Sequence, residues 1–306
     1  MHHYGISSTI TPNTMRSKAH PNRFQLLLLL IAIPVLSACL KDPDVNESTR
    51  FSSANCIGEV MFNDLHKMAE EVAKGEEQSE QFLSAIPYSF GPCATVSVIP
   101  DWPDPTFPKV ISVTFDSLCD GIDGRTRSGL LLVRLSDAFR NPGAVMEIMP
   151  ENLQIDFHSI SGTRTVTNLG ANANGNLQFE VLTRDGQITT PTNNEIDWNA
   201  TRIRVWIEGE DTRLADDGRR GLVDDVYTET GTGCVTENDD GNIGIEIIDG
   251  LRIDMDCLYI TSGTMEVTPP EPNDLRTANF GDGTCEQEVV VSWESDRIID
   301  NNFNQR

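Results

Sequence analysis

The residues with the most specific chemistry lie near one end of the chain. Leu36-Ser37-Ala38-Cys39 sets small side chains directly before a cysteine. A lipoprotein signal peptidase needs those small residues, and a lipid transferase needs the thiol. Upstream, Arg16, Lys18 and Arg23 form a positive region, and Leu26 to Leu36 is an apolar run of eleven residues interrupted only by Pro34. Such a run is too short to span a bilayer, which takes about 20 helical residues. The expectation is a signal peptide over residues 1–38, cleavage before Cys39 and lipidation of Cys39.

Six cysteines remain. An even number outside the cytoplasm implies disulfides, with fifteen possible pairings among six. Opposed residues of a simple hairpin share a constant index sum. Cys93 and Cys119 centre on 106, within the turn-rich Asp101–Pro108, and Cys257 and Cys285 centre on 271, within Pro269–Asp274. Each pair should bridge the open end of its own hairpin. Parity then leaves Cys56 to pair with Cys234. Zinc is the rival, but no CxxC or Cys/His pair has its spacing.

A third constellation is a row on an alternating segment. Ile203, Val205 and Ile207 share one parity, and Trp198, Arg202, Arg204 and Trp206 share the other. With the aliphatic side inward, two indoles and two guanidiniums would face outward. That row would stack on sugar rings or aromatic ligands and hydrogen-bond their polar groups. The alternative is that a second layer or the N-terminal helix covers this face, with the arginines paired to acids. Asp116, Asp120 and Asp123, and separately Glu237, Asp239 and Asp240, are weak Ca²⁺ candidates beside glycines; neither run has EF-hand spacing, and solvated loops are the simpler account. No other cofactor is implied. His66 and His158 are the only histidines after residue 38, and both read as solvated surface groups. No G-x-S-x-G elbow, HExxH or P-loop occurs.

The elements that must position these residues follow from periodicity. Residues 39–53 read as the lipidated cysteine and a polar tether. Ile57, Met61, Leu65, Met68 and Val72 recur at helical steps, and Gly75 is a stop, so a helix over about 56–74 is expected to lay one face on the core. Beyond residue 94 the period is two, as in Leu153/Ile155/Phe157, Leu177/Phe179/Val181 and Ile243/Ile245/Ile247. Turn signals at Asn141-Pro142-Gly143, Ala173-Asn174-Gly175, Asp185-Gly186, Asp240-Gly241 and Pro269-Pro270 separate these runs. This is a mainly β chain: an antiparallel meander-type sheet of about a dozen strands with one N-terminal amphipathic helix. Open sheet, sandwich and barrel all remain open. One domain over residues 54–294 and a polar C-terminal tail, 295–306, complete the division. An echo runs through it: Ser161–Thr167, Thr230–Thr236 and Ser262–Thr268 each place a glycine before a Thr/Val run.

Ordered motifs add a resemblance. Cys93-Ala94-Thr95-Val96, Phe107-Pro108-Lys109, Asp123–Gly129, Gly162–Asn168, Trp206-Ile207-Glu208-Gly209, Asp225-Val226-Tyr227 and Phe280–Cys285, with Phe62-Asn63-Asp64, occur in this chain. The set resembles an uncharacterised family of Bacteroidota-type surface lipoproteins, over roughly residues 55–292. It implies a lipid-anchored, mostly β domain and carries no activity. Cys56 and Cys234 depart from the family's pattern. Lys41-Asp42-Pro43-Asp44 is similar to the surface-export tag of such lipoproteins, with Pro43 interrupting the acids.

Charge bounds the partners. The chain carries −24, and loss of residues 1–38 removes three basic and no acidic residues, leaving −27. That opposes nucleic acid and bare anionic lipid. The expected localisation is an outer-membrane lipoprotein on the cell surface, with the periplasmic face as alternative. The expected partners are the membrane, through lipid, and an envelope protein or glycan. A non-catalytic binding or scaffolding module is favoured; a carboxylate-based hydrolase of surface glycan or peptide, or an envelope lipid or assembly factor, is the alternative.

Overall fold

A computed structural model of the protein describes residues 47–77, 89–238, 242–268, 275–286 and 288–293. The helix α1 spans Glu47–Ala73 and ends in a 3₁₀ turn, Lys74–Glu77. It starts before the expected boundary near residue 56, so part of the polar stretch read as tether is helical. Twelve strands follow: β1 (Ala94–Ile99), β2 (Lys109–Asp120), β3 (Thr126–Leu135), β4 (Val145–Ile155), β5 (His158–Ala171), β6 (Leu177–Thr189), β7 (Glu195–Glu208), β8 (Val226–Glu237), β9 (Ile243–Asp254), β10 (Ile260–Thr268), β11 (Arg276–Asp282) and β12 (Val290–Trp293). Two single-turn helices, α2 (Leu214–Asp217) and α3 (Arg220–Val223), interrupt the link from β7 to β8.

Each strand pairs antiparallel with its neighbours in sequence, giving one open sheet in the order β1 to β12. The alternation reads directly as two faces. Val113, Leu131, Ile148, Val181, Ile196 and Met265 point inward and are almost fully buried. Thr114, Thr201, Thr232, Glu246 and Asn279 point outward and are exposed.

The sheet is not flat. From Ser52 to Gly75 every described helix residue except Ser53 and Ile57 is buried. Partners reach α1 from β3, β5, β7, β8 and β10. The sheet therefore curls around the helix, which lays its expected face on the core and is enclosed on nearly all its other sides as well.

The echo in the sequence marks where the curl is built. Gly162, Gly231 and Gly263 have φ of 109°, 132° and 111°. Each sits at a shift in strand register. A Cβ there would lie 2.5, 2.3 and 2.6 Å from a carbonyl oxygen of the adjacent strand. Bulges of this kind bend a strand and increase its twist. Asp185-Gly186, read as a turn, is a further bulge inside β6: Asp185 has φ 51° and the register with β7 shifts there.

Close approach of helix and sheet sets one more requirement. A Cβ on Gly58 would lie 2.3 Å from Cδ1 of Trp198. Alanine favours a helix by about 1 kcal/mol over glycine, but overpacking a filled core costs about 1–3 kcal/mol. Gly58→Ala is therefore expected to destabilise the fold. Urea unfolding checks it, and a raised midpoint would show that the indole has room to move.

Candidate functional site

The helix carries charge where a buried helix normally carries none. Glu59, Asp64, His66, Lys67, Glu70, Glu71 and Lys74 are all buried. Burial of an unpaired charge costs several kcal/mol, so each needs a partner. For Glu59, Asp64, His66 and Glu70 the strands supply partners from inward positions, and groups outside the strand faces serve Lys67, Glu71 and Lys74. Arg127 of β3 shares parity with Leu131 and Val133, Arg164 of β5 with Val166, and Glu229 of β8 with Tyr227. A charged residue at an apolar parity was the signal in the sequence that could have found this network.

Three groups of contacts run along α1. At its start Trp198 stacks on Phe62 at 5.0 Å between ring centroids and donates to Asn55 Oδ1 at 3.3 Å. Arg202 pairs with Glu59. In the middle, Arg204 Nε donates to Glu229 Oε1 at 2.6 Å and its Nη2 to Asn63 Oδ1 at 2.8 Å. Arg164 reaches the same Glu229 oxygen at 3.4 Å and donates to His66 Nδ1 at 3.4 Å. Nearer the end, Lys74 lies 2.8 Å from Glu70, pairs with Asp225 and sits 4.1 Å from the Trp206 ring centroid. Tyr227 donates to Glu70, and Trp206 donates to Asp225 Oδ1 at 3.1 Å.

The electrostatics follow from these contacts. Burial disfavours charge on Glu229, but Arg204 and Arg164 outweigh it and hold the carboxyl below its ordinary value. Burial, reinforced by Arg204 and Arg164, keeps His66 neutral well below its usual range. Burial raises Glu59 despite Arg202, and pushes the Cys56 thiol up to about 12. Burial lifts Asp225 to about 7 although Lys74 opposes it.

Trp198, Arg202, Arg204 and Trp206 are thus buried against α1, none more than 1% exposed. The outward binding row is corrected. Ile207 takes the wet side at 38% exposure, because the helix charges make the interior the place for arginine. The histidine reading is corrected for the same reason: His66 lies within the network, and His158 is buried with its Nδ1 3.1 Å from the Asp156 carbonyl.

Beside α1 opens a cleft of about 590 Å³. Asp64, Lys67, Met68 and Glu71 of α1 form its floor. Ile122 and Asp123 come from the β2–β3 hairpin, Leu222 and Val223 from α3, and residues 255–259 from the β9–β10 loop. Arg127 holds the first of these walls. Its Nη2 donates to both Asp64 oxygens at 3.0 and 2.9 Å, and it meets Asp123 with both terminal nitrogens at 3.0 and 2.6 Å. On the opposite wall Lys67 donates to the Asp254 carbonyl at 2.7 Å and to that of Cys257. Glu71 accepts from Ser89 N at 2.9 Å and from its hydroxyl. Burial opposes ionisation of Asp64, but Arg127 and Arg125 prevail and lower it. Burial raises Glu71, with Ser89 offsetting part, and lowers Lys67 to about 8, with Asp64 opposing.

Comparison with protein-family models, curated proteins and solved structures finds no match.

The cysteines divide. Cys93–Cys119 and Cys257–Cys285 are disulfides, with Cα atoms 5.5 and 5.7 Å apart. The pairings are those expected, but each bridge lies beyond the paired ladder, whose opposed indices sum to 209 for β1–β2 and 543 for most of β10–β11 and not to 212 and 542. Cys257 and Cys285 also line the cleft. The third pairing is corrected: Cys56 and Cys234 are free. Cys56 is on the enclosed helix, whereas Cys234 has the outward parity of Thr232 and Thr236, so the sheet separates them. Two of the calcium candidates have other partners. Asp120 accepts from Thr126 at 2.7 Å, Asp123 binds Arg127, Asp116 is exposed on β2 and Glu237 is buried on β8; Asp239 and Asp240 lie outside the described residues. Among the described residues no group of three or more His, Cys, Asp or Glu is placed to hold a metal ion. Cys39 lies outside them as well.

Asp225 gives a pH test with a definite sign. Its folded value, about 7, is above the ordinary 3.8, so between roughly pH 4 and 7 the folded state keeps a proton that the unfolded chain releases. Stability from this group is present below that window and is lost as pH rises through it. The stability of the parent relative to Asp225→Asn should therefore fall between pH 5 and pH 8 in urea titrations. A difference that is constant or grows with pH would refute the assignment.

Proposed function

We propose that this is a lipid-anchored envelope protein, held through Cys39 on the surface side of the outer membrane, and that its β domain is a non-catalytic binding module. The cleft beside α1 is its ligand site, and an envelope glycan or protein is the ligand. The observation that carries the reading is the state of the cleft's helix carboxylates. Asp64 is held by Arg127 and Glu71 by Ser89, so both already serve the protein's own donors. Around them Met68, Leu222, Val223 and Met255 supply apolar surface, the mixture typical of a ligand pocket.

Attachment by lipid rather than by strands agrees with the outer face of the sheet. Membrane barrels present an apolar band outward, whereas the exposed positions here include Thr114, Thr201, Thr232 and Glu246. The acidic surface argues against nucleic acid as a partner.

One observation favours a second reading, a carboxylate hydrolase. Asp64 and Glu71 share a cleft, and their surroundings push them in opposite directions, as in acid–base pairs.

Two variants test the proposal. Cys39→Ala should move the protein from the membrane to the soluble fraction. Val223→Trp, which narrows the cleft, should abolish retention of the envelope component captured by the parent, at an unchanged melting temperature, while Glu71→Gln retains it. Capture undiminished in Val223→Trp would contradict the site. Turnover of a glycan or peptide that stops in Glu71→Gln would establish the hydrolase instead.

A further inference from the structure

The first strand is unfinished on one side. Among the described residues β1 pairs only with β2, and β12 only with β11, so each is a sheet edge. An edge presents alternate N–H and C=O groups to whatever comes alongside. Edges that must stay single carry charge, proline or a bulge. Ala94-Thr95-Val96-Ser97-Val98-Ile99 has none of these.

Its side chains point the same way. Facing inward, Ala94, Val96 and Val98 are only half-buried, whereas the inward residues of β2, Ile111, Val113 and Phe115, are at most 4% exposed. At the end of the strand Ile99 is 68% exposed, the highest value among the exposed large apolar residues. Among the described residues the edge thus has no strand partner on one side, and its inward row, though packed against the core, is only half covered.

We propose that a second copy of this chain supplies both, the two β1 strands pairing antiparallel about a two-fold axis. The sequence of β1 is suited to its own image. Opposed residues in an antiparallel pair lie on the same face, so the axis must pass through a residue and not between two. An axis through Val96 or Ser97 keeps nearly the whole strand paired. In either register Val96 and Val98 meet the inward apolar row of the second copy, and no charged residue of the strand faces another. Pairing of identical surfaces closes at two copies. Joining β1 to β12 would instead propagate, and β12 offers only four residues.

The contact is small. One strand pair buries less than the roughly 1,200 Å² of a stable interface, so the association is weak and reversible. Each copy carries a large negative charge. Salt screens that repulsion and should strengthen the dimer.

Sedimentation velocity on the purified Cys39→Ala chain, over a wide concentration range at low and high salt, tests the proposal. The expected result is a monomer–dimer equilibrium whose dimer share rises with salt. Ser97 is exposed on the outer face. Ser97→Lys sets two ammonium groups against each other at or beside the axis and should weaken association about tenfold or more, with unchanged circular dichroism and melting temperature. Ser292→Lys on the opposite edge should leave the equilibrium as it is. A monomer under all conditions overturns the proposal. So does a dimer that Ser292→Lys breaks and Ser97→Lys spares.

Discussion

Buried charge on α1 is the constraint on which the rest of this structure depends. Glu59, Asp64, Lys67, Glu70, Glu71 and Lys74 are all on a helix enclosed by β-sheet. Burial removes most of their hydration, so protein groups must replace it. Arg202, Arg127 and Tyr227 answer Glu59, Asp64 and Glu70 from the inner face of the strands, while Asp225, just before β8, answers Lys74, Ser89 answers Glu71 and the Asp254 and Cys257 carbonyls answer Lys67. The sheet has to curl far enough to bring β3 and β8 to the same helix, and the glycine bulges at Gly162, Gly231 and Gly263 supply the bend. Polar interior, curled sheet and strained glycines are one solution to one electrostatic demand.

Such a network is a poor source of net stability, because desolvation of each ion offsets most of the attraction. Arg202 leaves Nε and Nη1 without an acceptor among the described residues. Its effect is on register. A slip of one residue along β3 would turn Arg127 outward and strand Asp64 without its guanidinium; a slip along β7 would do the same to Glu59. The same contacts shape the cleft. Arg127 fixes the Asp64–Asp123 wall, and Lys67 pins the β9–β10 loop, so helix residues three apart hold the two sides of the opening. The Cys257–Cys285 disulfide lies at that second wall.

What the sequence made legible was local. Alternation such as Leu177/Phe179/Val181 reports strands because it depends only on the two faces of one segment. The two hairpin disulfides were legible because each pair of cysteines flanks one turn-rich segment at the open end of a single hairpin, even though neither pair falls on the observed register. The direction of the Trp198–Trp206 row was not. Parity says that two faces exist, and the choice of which faces inward depends on what the interior contains. Since the interior holds a charged helix, arginine and tryptophan went in and Ile207 out. The helix was legible from its stripe of Ile57, Met61 and Leu65, but its full enclosure was not, because nothing local says that the opposite face is covered too. Pairing Cys56 with Cys234 rested on elimination, which carries no geometry. The cleft joins α1 to residues near 122, 222 and 256, a convergence set by the curl and invisible to any single window.

If the charged helix is the axis that the sheet is built on, it cannot leave while the sheet persists. Native-state hydrogen exchange of the α1 amides from Glu59 to Val72 tests this most directly. The account predicts that they exchange only through global unfolding, with the same denaturant dependence as the slowest amides of β6 and β7. Exchange of α1 through a separate, lower-energy opening that leaves β6 and β7 protected would contradict it.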